Sequence, residues 1–149
     1  MFSDETSVRA LLQQVLSYSQ ADQTEALYLG TESALTRFAN NGIHQNVAES
    51  NHELRVRAVA GKRVGVAMTN RLDDESLRQI TQQALEIARL QPENPEFHSL
   101  PGPQPIIHAP GYSERTAQFS PEERAQRVGI IVRLAKERGL EAAGAFSTN

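Results

Sequence analysis

Apolar positions along the chain change their period several times, and each change predicts an element. Val8, Leu11, Leu12, Val15 and Leu16 recur at i, i+3, i+4, i+7 and i+8, the stripe of an amphipathic helix over residues 4–19 with Ser3 or Asp4 as N-cap. From about residue 25 to 69 the pattern becomes short runs rich in Val, Leu and Ala separated by turn residues, which reads as an antiparallel meander. Asn41-Gly42 is the strongest hairpin signal, because a two-residue type I′ turn needs positive φ at both positions. That turn pairs Phe38 with Gln45 and Thr36 with Val47. It sets Phe38, Ile43 and Val47 on a dry face, and Arg37, His44 and Asn46 on a wet one.

Around Gly61-Lys62-Arg63 two registers compete. A three-residue loop places Ala60 opposite Val64, Ala58 opposite Val66 and Val56 opposite Met68, keeping an apolar row intact. A two-residue loop sets Arg57 beside Val66 and Arg55 beside Met68, mixing charge into that row, so the longer loop is expected.

A second helix over residues 74–91 opens at Asp73, with Leu72 and Leu77 spaced as a hydrophobic staple and Asp74 and Glu75 at the positive end of the dipole. Leu77, Ile80, Ala84, Ile87 and Ala88 form its apolar stripe. All seven prolines fall between Pro92 and Pro121, which excludes regular helix or central strand across most of residues 92–119. That long loop either packs over the sheet through Phe97, Leu100, Ile106 and Ile107 or is partly mobile.

Ser120, Pro121 and Glu123 supply an N-cap, a proline at N1 and a reciprocal capping glutamate for a third helix over residues 121–138. Val128, Ile131, Val132 and Ala135 are its apolar face, and Lys136, Arg138 and Gly139 its C-terminal signature. A final strand is expected from about residue 141, cut off at Asn149. The whole reads as one α+β domain over residues 1–149: a mainly antiparallel sheet of four or five strands covered on one face by helices. Leu12, Val56, Val66, Ile80 and Val132 are its expected core.

Composition narrows the functions. Fifteen basic against eighteen acidic residues leave a net charge of −3, so bulk attraction to nucleic acid or anionic lipid is not expected. The absence of cysteine removes disulfides, thiolate zinc sites, Fe–S clusters and cysteine nucleophiles together. No apolar run approaches the ~20 residues of a spanning helix, and the N-terminus lacks a secretory pattern, so a cytoplasmic location is expected.

The search for chemistry assigns no catalytic or metal-binding residue. His52-Glu53 begins like a zinc-protease helix, but Val56 and Arg57 stand where the second histidine would be. His44, His98 and His108 have no partner at i+3 or i+4. Residues 61–65 lack the spacing and following helix of a phosphate loop, and the adjacent Asp73, Asp74 and Glu75 suit helix capping better than acid–base work. Arg55, Arg57, Lys62 and Arg63, with Arg71, concentrate positive charge on the last hairpin. The first four are candidate contacts for a partner or peptide; the plainer alternative is a solvated face balanced by Glu49, Glu53 and Glu75.

Residues 54–67, LRVRAVAGKRVGVA, resemble the "GvrvrvGkrvGfa" hairpin of the TldD/PmbA family, also known as modulators of DNA gyrase. Residues 73–90, ending in Ala84-Leu85-Glu86-Ile87-Ala88-Arg89, resemble the helix that follows it there, and the capped Ser120-Pro121-Glu122-Glu123 helix sits where that family has its own. One departure is the polar Asn51-His52-Glu53 where the family usually has a glycine.

The resemblance implies an N-terminal α+β domain of a longer subunit. Two homologous kinds of subunit would associate into a cytoplasmic zinc metallopeptidase complex acting on peptides and unfolded proteins. It places the zinc motif, HExxxH with further ligands, in the C-terminal half of one subunit type, so no catalytic residue and no cofactor is carried over to this segment. The proline-rich continuation after Arg89 is closer to the PmbA (TldE) branch, whose subunit lacks zinc. The expected role is therefore non-catalytic: subunit assembly with a homologous partner and guidance of peptide substrate, an open sheet edge accepting extended chain. A stand-alone binding or regulatory module of the gyrase-modulator type is the alternative.

Overall fold

Three side chains that accept a hydrogen bond from the N–H three residues on begin the long helices: Asp4 from Ser7, Asp73 from Ser76 and Ser120 from Glu123. The computed structural model describes residues 4–102, 104–105 and 110–149, so Ser3, Ile106, Ile107 and His108 lie outside the described residues. The helices are α1 (Glu5–Ser17), α2 (Asp74–Leu90), a single turn α3 (Glu114–Ala117) inside the stretch read as loop, and α4 (Pro121–Glu137). The strands are β1 (Gln23–Ala39), β2 (Gly42–Ala60), β3 (Arg63–Thr69) and β4 (Gly144–Thr148), in the order β3-β2-β1-β4. This is an α+β fold on a four-stranded antiparallel sheet. Where the sequence reads as one domain, the chain's contacts gather into two compact units: one holds the chain up to Gly30 and from Asn51 into the proline-rich stretch, the other Thr31–Ser50 and the remainder to Asn149.

In the first unit the sheet presents Leu54, Val56, Ala58 and Ala67 to a core shared with Leu11 and Val15 of α1 and Leu77, Ile80, Ala84 and Leu85 of α2. The loop at the end of β2 has two residues, Gly61 and Lys62, not three. Ala60 faces Arg63, Ala58 faces Gly65, Arg57 faces Val66 and Arg55 faces Met68. The register judged unfavourable on its apolar row is the one formed, because the row that matters is the one under α2. Pairing Ala58 with Gly65 and Val56 with Ala67 makes that face small and flat, and Gly65 lets the helix backbone settle on it. Gly61 has φ +62 at the first turn position, as a type II′ turn requires.

Val66 therefore leaves the expected core and is 42% exposed, whereas Val56 and Ile80 are buried and Leu12 packs half-buried beside Leu11. Residues 94–100 are tied to this unit: the Asn94 N–H donates to the Lys62 carbonyl (3.0 Å) and the Leu100 N–H to Gln23 Oε1 (2.8 Å).

In the second unit the turn falls one residue earlier than expected. Asn40 and Asn41 carry the positive φ values of 50 and 57, and β2 already begins at Gly42. Asn41 can hold the second position because its side chain is also used: Nδ2 donates to the Leu140 carbonyl and Oδ1 accepts from the Ala142 N–H, each at 2.8 Å. This leads the chain into β4, where Thr36 faces Phe146 and Phe38 faces Gly144.

The shifted turn also changes the faces. Asn46, expected on the wet side, meets the buried Thr36 through Oδ1 at 3.2 Å, while Ile43, expected to be dry, is 44% exposed. Under this sheet α4 buries Val128 and Arg124; Val132 is half-buried, and Ile130, Ile131 and Leu134 stay exposed.

Candidate functional site

The face of the first unit's sheet opposite α2 is the surface on which the sequence-predicted basic residues can be tested. Strand alternation and the β2–β3 register put Arg55 and Arg57 on this face with Val66 and Met68. Glu25 reaches Arg57 at 2.6 Å, which places Glu25, and with it Leu27 and Leu29 two and four residues on, on the same face. Leu27, Leu29, Val66 and Met68 are exposed by 41–57%, too much to be core side chains.

The positive charge here is neutralised locally. Arg55 pairs with Glu53 at 2.8 Å and Arg57 with Glu25 at 2.6 Å, all four side chains being partly exposed. Pairs of that kind stabilise the fold by no more than about 1 kcal/mol each. Their effect is on the surface: a net-neutral polar band flanked by two apolar rows. Arg57 Nε, buried, has no hydrogen-bond partner among the described residues.

The other two predicted contacts lie elsewhere. Lys62 sits in the turn and donates to the Pro95 carbonyl at 3.1 Å, and Arg63, facing Ala60, lies on the helix side, where it meets Glu93 at 3.3 Å. The four residues are thus two on the outer face, one at its end and one behind it. Arg71 is drawn off as well, to Asp73 at 3.3 Å.

Beside this face β1 has a free edge. β4 pairs only with positions 34–38 of β1, so no strand among the described residues lies beside positions 23–27 on that side. The signal for this part of the surface was present in the sequence as the alternation of Glu25, Leu27 and Leu29, but periodicity cannot say which side of a strand is covered.

At the junction of α1 and α2, Asp74 accepts from the Tyr18 hydroxyl, from Gln14 Nε2 (2.7 Å) and from Arg78 Nε (3.0 Å), and the Arg78 guanidinium lies 4.0 Å over the Tyr18 ring. The Tyr18 hydrogen bond, then Arg78, holds the Asp74 carboxyl below the usual aspartate value. These groups are mutually satisfied and join the helices.

The described residues do not fit a zinc ion. No three His, Asp or Glu side chains gather among them. His52 is engaged by the Asn70 carbonyl at 2.7 Å and stacks with Tyr28, and its neighbour Glu53 holds Arg55.

With this geometry in view, a family model described as PmbA/TldA metallopeptidase domain 1 matches residues 24–88, the stretch that contains the uncovered face and most of α2. Residues 24–88 belong to the PmbA/TldD family. Solved structures resemble the chain over most of its length. TldE from Thermococcus kodakarensis superposes with a TM-score of 0.78 at 20% identity, covering 95% of this chain and 33% of that one. A candidate modulator of a DNA gyrase from Thermotoga maritima gives 0.71 at 11% identity, covering 94% and 37%. A further candidate DNA gyrase modulator, from Bacteroides thetaiotaomicron, gives 0.66 at 14% identity, covering 99% and 40%. At these identities the likeness is one of fold. This chain spans between 33% and 40% of the length of those chains. No curated protein matches it.

Within the PmbA/TldD domain, sequence reasoning missed Leu27 and Leu29 as surface residues and Gly65 as the seat of α2. The glycine in RVGVA was visible, but its reason, a helix backbone from residues 84–88, is not a local one.

Proposed function

We propose that this chain is the non-catalytic N-terminal domain of a TldD/PmbA-type zinc metallopeptidase subunit, serving assembly with a homologous subunit and presentation of peptide substrate. The observation that carries this reading is the uncovered sheet face with Leu27, Leu29, Val66 and Met68 exposed around neutralised arginines, next to the free edge of β1. An apolar face with its charges already paired loses little on being desolvated against another protein, and an unpaired strand edge accepts extended chain without reading its sequence. Zinc is held by other parts of the complex, and the site of action is the cytoplasm; no helix among the described residues is long and apolar enough to cross a membrane.

The test is co-purification with a homologous zinc-bearing subunit, followed by hydrolysis of an unfolded protein. Leu29→Glu with Met68→Glu is expected to leave the domain folded and to abolish association. A complex that forms and hydrolyses as before with both substitutions would overturn the reading.

A further inference from the structure

The hairpin turn of the second unit carries a chemically reactive pair. Asn41 is the one asparagine of the chain followed by glycine. In such a pair the glycine nitrogen, with no Cβ beside it to shield the approach, can attack the asparagine side-chain carbonyl carbon. The Gly42 nitrogen bonds to Asn41 Cγ, the Cγ–Nδ2 bond breaks, and Nδ2 leaves as ammonia, taking the Gly42 amide proton. Solvent water then opens the cyclic imide at either of its carbonyls. The product is aspartate or isoaspartate, ionised at neutral pH, and no oxidant or reductant is involved.

The fold puts the same side chain to structural use. Asn41 Nδ2 donates to the Leu140 carbonyl and Oδ1 accepts from the Ala142 N–H, each at 2.8 Å, and the Asn41 N–H donates to the Ala142 carbonyl at 3.3 Å. Held at both ends, the amide is not free to turn towards the Gly42 nitrogen, so reaction waits on the release of residues 140–142. Conversion in turn removes what holds them. A carboxylate has no proton for the Leu140 carbonyl, and two acceptors are left facing each other. β4, which follows directly, pairs with β1 alone, at positions 34–38. Its release would unpair that edge of β1 and take Phe146 from its stack on Phe119, where the ring centroids lie 5.6 Å apart.

We infer that Asn41-Gly42 is a site of spontaneous deamidation guarded by the docked β4, and that its conversion releases the strand. β4 is thereby held by a latch with a chemical lifetime.

Ageing the intact protein in mildly alkaline buffer, natively and in urea, tests the guard, with conversion at Asn41 followed by peptide mass mapping. Conversion is expected to be about tenfold or more slower in the native protein, because the reaction draws only on the opened fraction. Ala142→Pro removes the N–H that Oδ1 accepts and should bring the native rate towards the rate in urea. Gly42→Ala should suppress conversion and leave the fold intact, since a Cβ there meets nothing closer than the Ala39 carbonyl oxygen at 3.8 Å. Hydrogen exchange reads the release. The aged parent and fresh Asn41→Asp are expected to lose protection in β4 while α2 keeps it, and aged Gly42→Ala to keep both. Circular dichroism serves as the folding control for the variants.

No conversion even in urea overturns the site. Native conversion as fast as in urea, or unchanged by Ala142→Pro, overturns the guard. Converted protein with β4 protection intact overturns the release, as does an equal loss in aged Gly42→Ala, which assigns that loss to a different change.

Discussion

Gly65 lies so close beneath α2 that a Cβ on it would stand 2.2 Å from the Ala84 carbonyl oxygen and 2.3 Å from the Ala88 nitrogen. Both obstacles are helix backbone, which cannot rotate aside as a side chain can. Gly65→Ala therefore must lift α2 from β3, and the expected cost is about 3 kcal/mol or more, the upper end for an overpacked core. A urea titration of the variant checks this; a midpoint within error of the parent would refute the close packing.

The β2–β3 register gives a pair of opposite expectations for neighbouring residues. Val66 points to the open face and Ala67, opposite Val56, to the core. Val66→Lys should change stability by no more than about 0.5 kcal/mol, whereas Ala67→Lys should unfold the first unit, because a lysine there has no partner and no room. The alternative three-residue loop predicts the reverse order, so thermal melts of the two variants separate the registers.

Arg124 is 2% exposed, yet its partners are neutral: Thr36 Oγ1 at 3.3 Å, Asn46 Oδ1 at 3.4 Å and the Phe119 carbonyl at 2.8 Å. One guanidinium thus joins α4, β1, β2 and the residue before the α4 cap. Arg124→Ala removes this donor from the buried Thr36 hydroxyl and from the more exposed Asn46 and Phe119 oxygens, and is expected to cost about 1–3 kcal/mol. Arg124→Lys should not restore the loss, since one ammonium cannot reach three acceptors arranged for a planar fork. Hydrogen exchange should show lost protection in α4 and β4, ahead of any change in α2.

Asn40 and Asn41 share a backbone conformation but not a role. Asn40→Gly should be neutral or slightly stabilising, because glycine accepts φ 50 without strain. Asn41→Gly keeps φ but loses both side-chain bonds to the chain entering β4, and should cost about 1–2 kcal/mol by chemical denaturation.

Acid stability follows from three aspartates. Asp4 and Asp73 are held below the ordinary value of 3.8 chiefly by the backbone N–H groups of Ser7 and Ser76, and Asp74 chiefly by the Tyr18 hydroxyl. A carboxyl with a depressed folded pKa stabilises the fold fully above its unfolded pKa and loses that contribution as pH falls through the folded one. The melting temperature should be insensitive to these groups near neutrality and fall below about pH 4. In Asp73→Asn with Asp74→Asn that acid limb should be shallower; an unchanged limb would show that other groups set it.

Helix starts were readable from the chain because a cap is a contract between residues three apart: Asp73 with Ser76, and Ser120 with Glu123, which returns the bond to the Ser120 N–H at 2.8 Å. The candidate surface was half readable. Arg55 and Arg57 do share the open face, but Lys62 and Arg63 do not join them, and the charge of the three arginines is cancelled by glutamates, one of them 32 residues away. A cavity of about 510 Å³ in the second unit had no sequence signal, since Ala34, Ala48 and Phe119, which line it, come together only when β1, β2 and the segment before α4 are folded.

What the amino-acid order determined alone is therefore what short-range geometry decides: the periods of α1, α2 and α4, their caps, the alternation in β1 to β3, and the proline-rich interval whose described residues hold no regular structure beyond the single turn α3. Tertiary packing decided which of two registers β3 adopts, which face of the sheet is dry, and that an arginine is buried. The physical reason is one of range. A hydrogen-bonded turn is complete within a few residues, whereas the worth of an apolar or charged side chain depends on what another element, scores of residues away, lays against it.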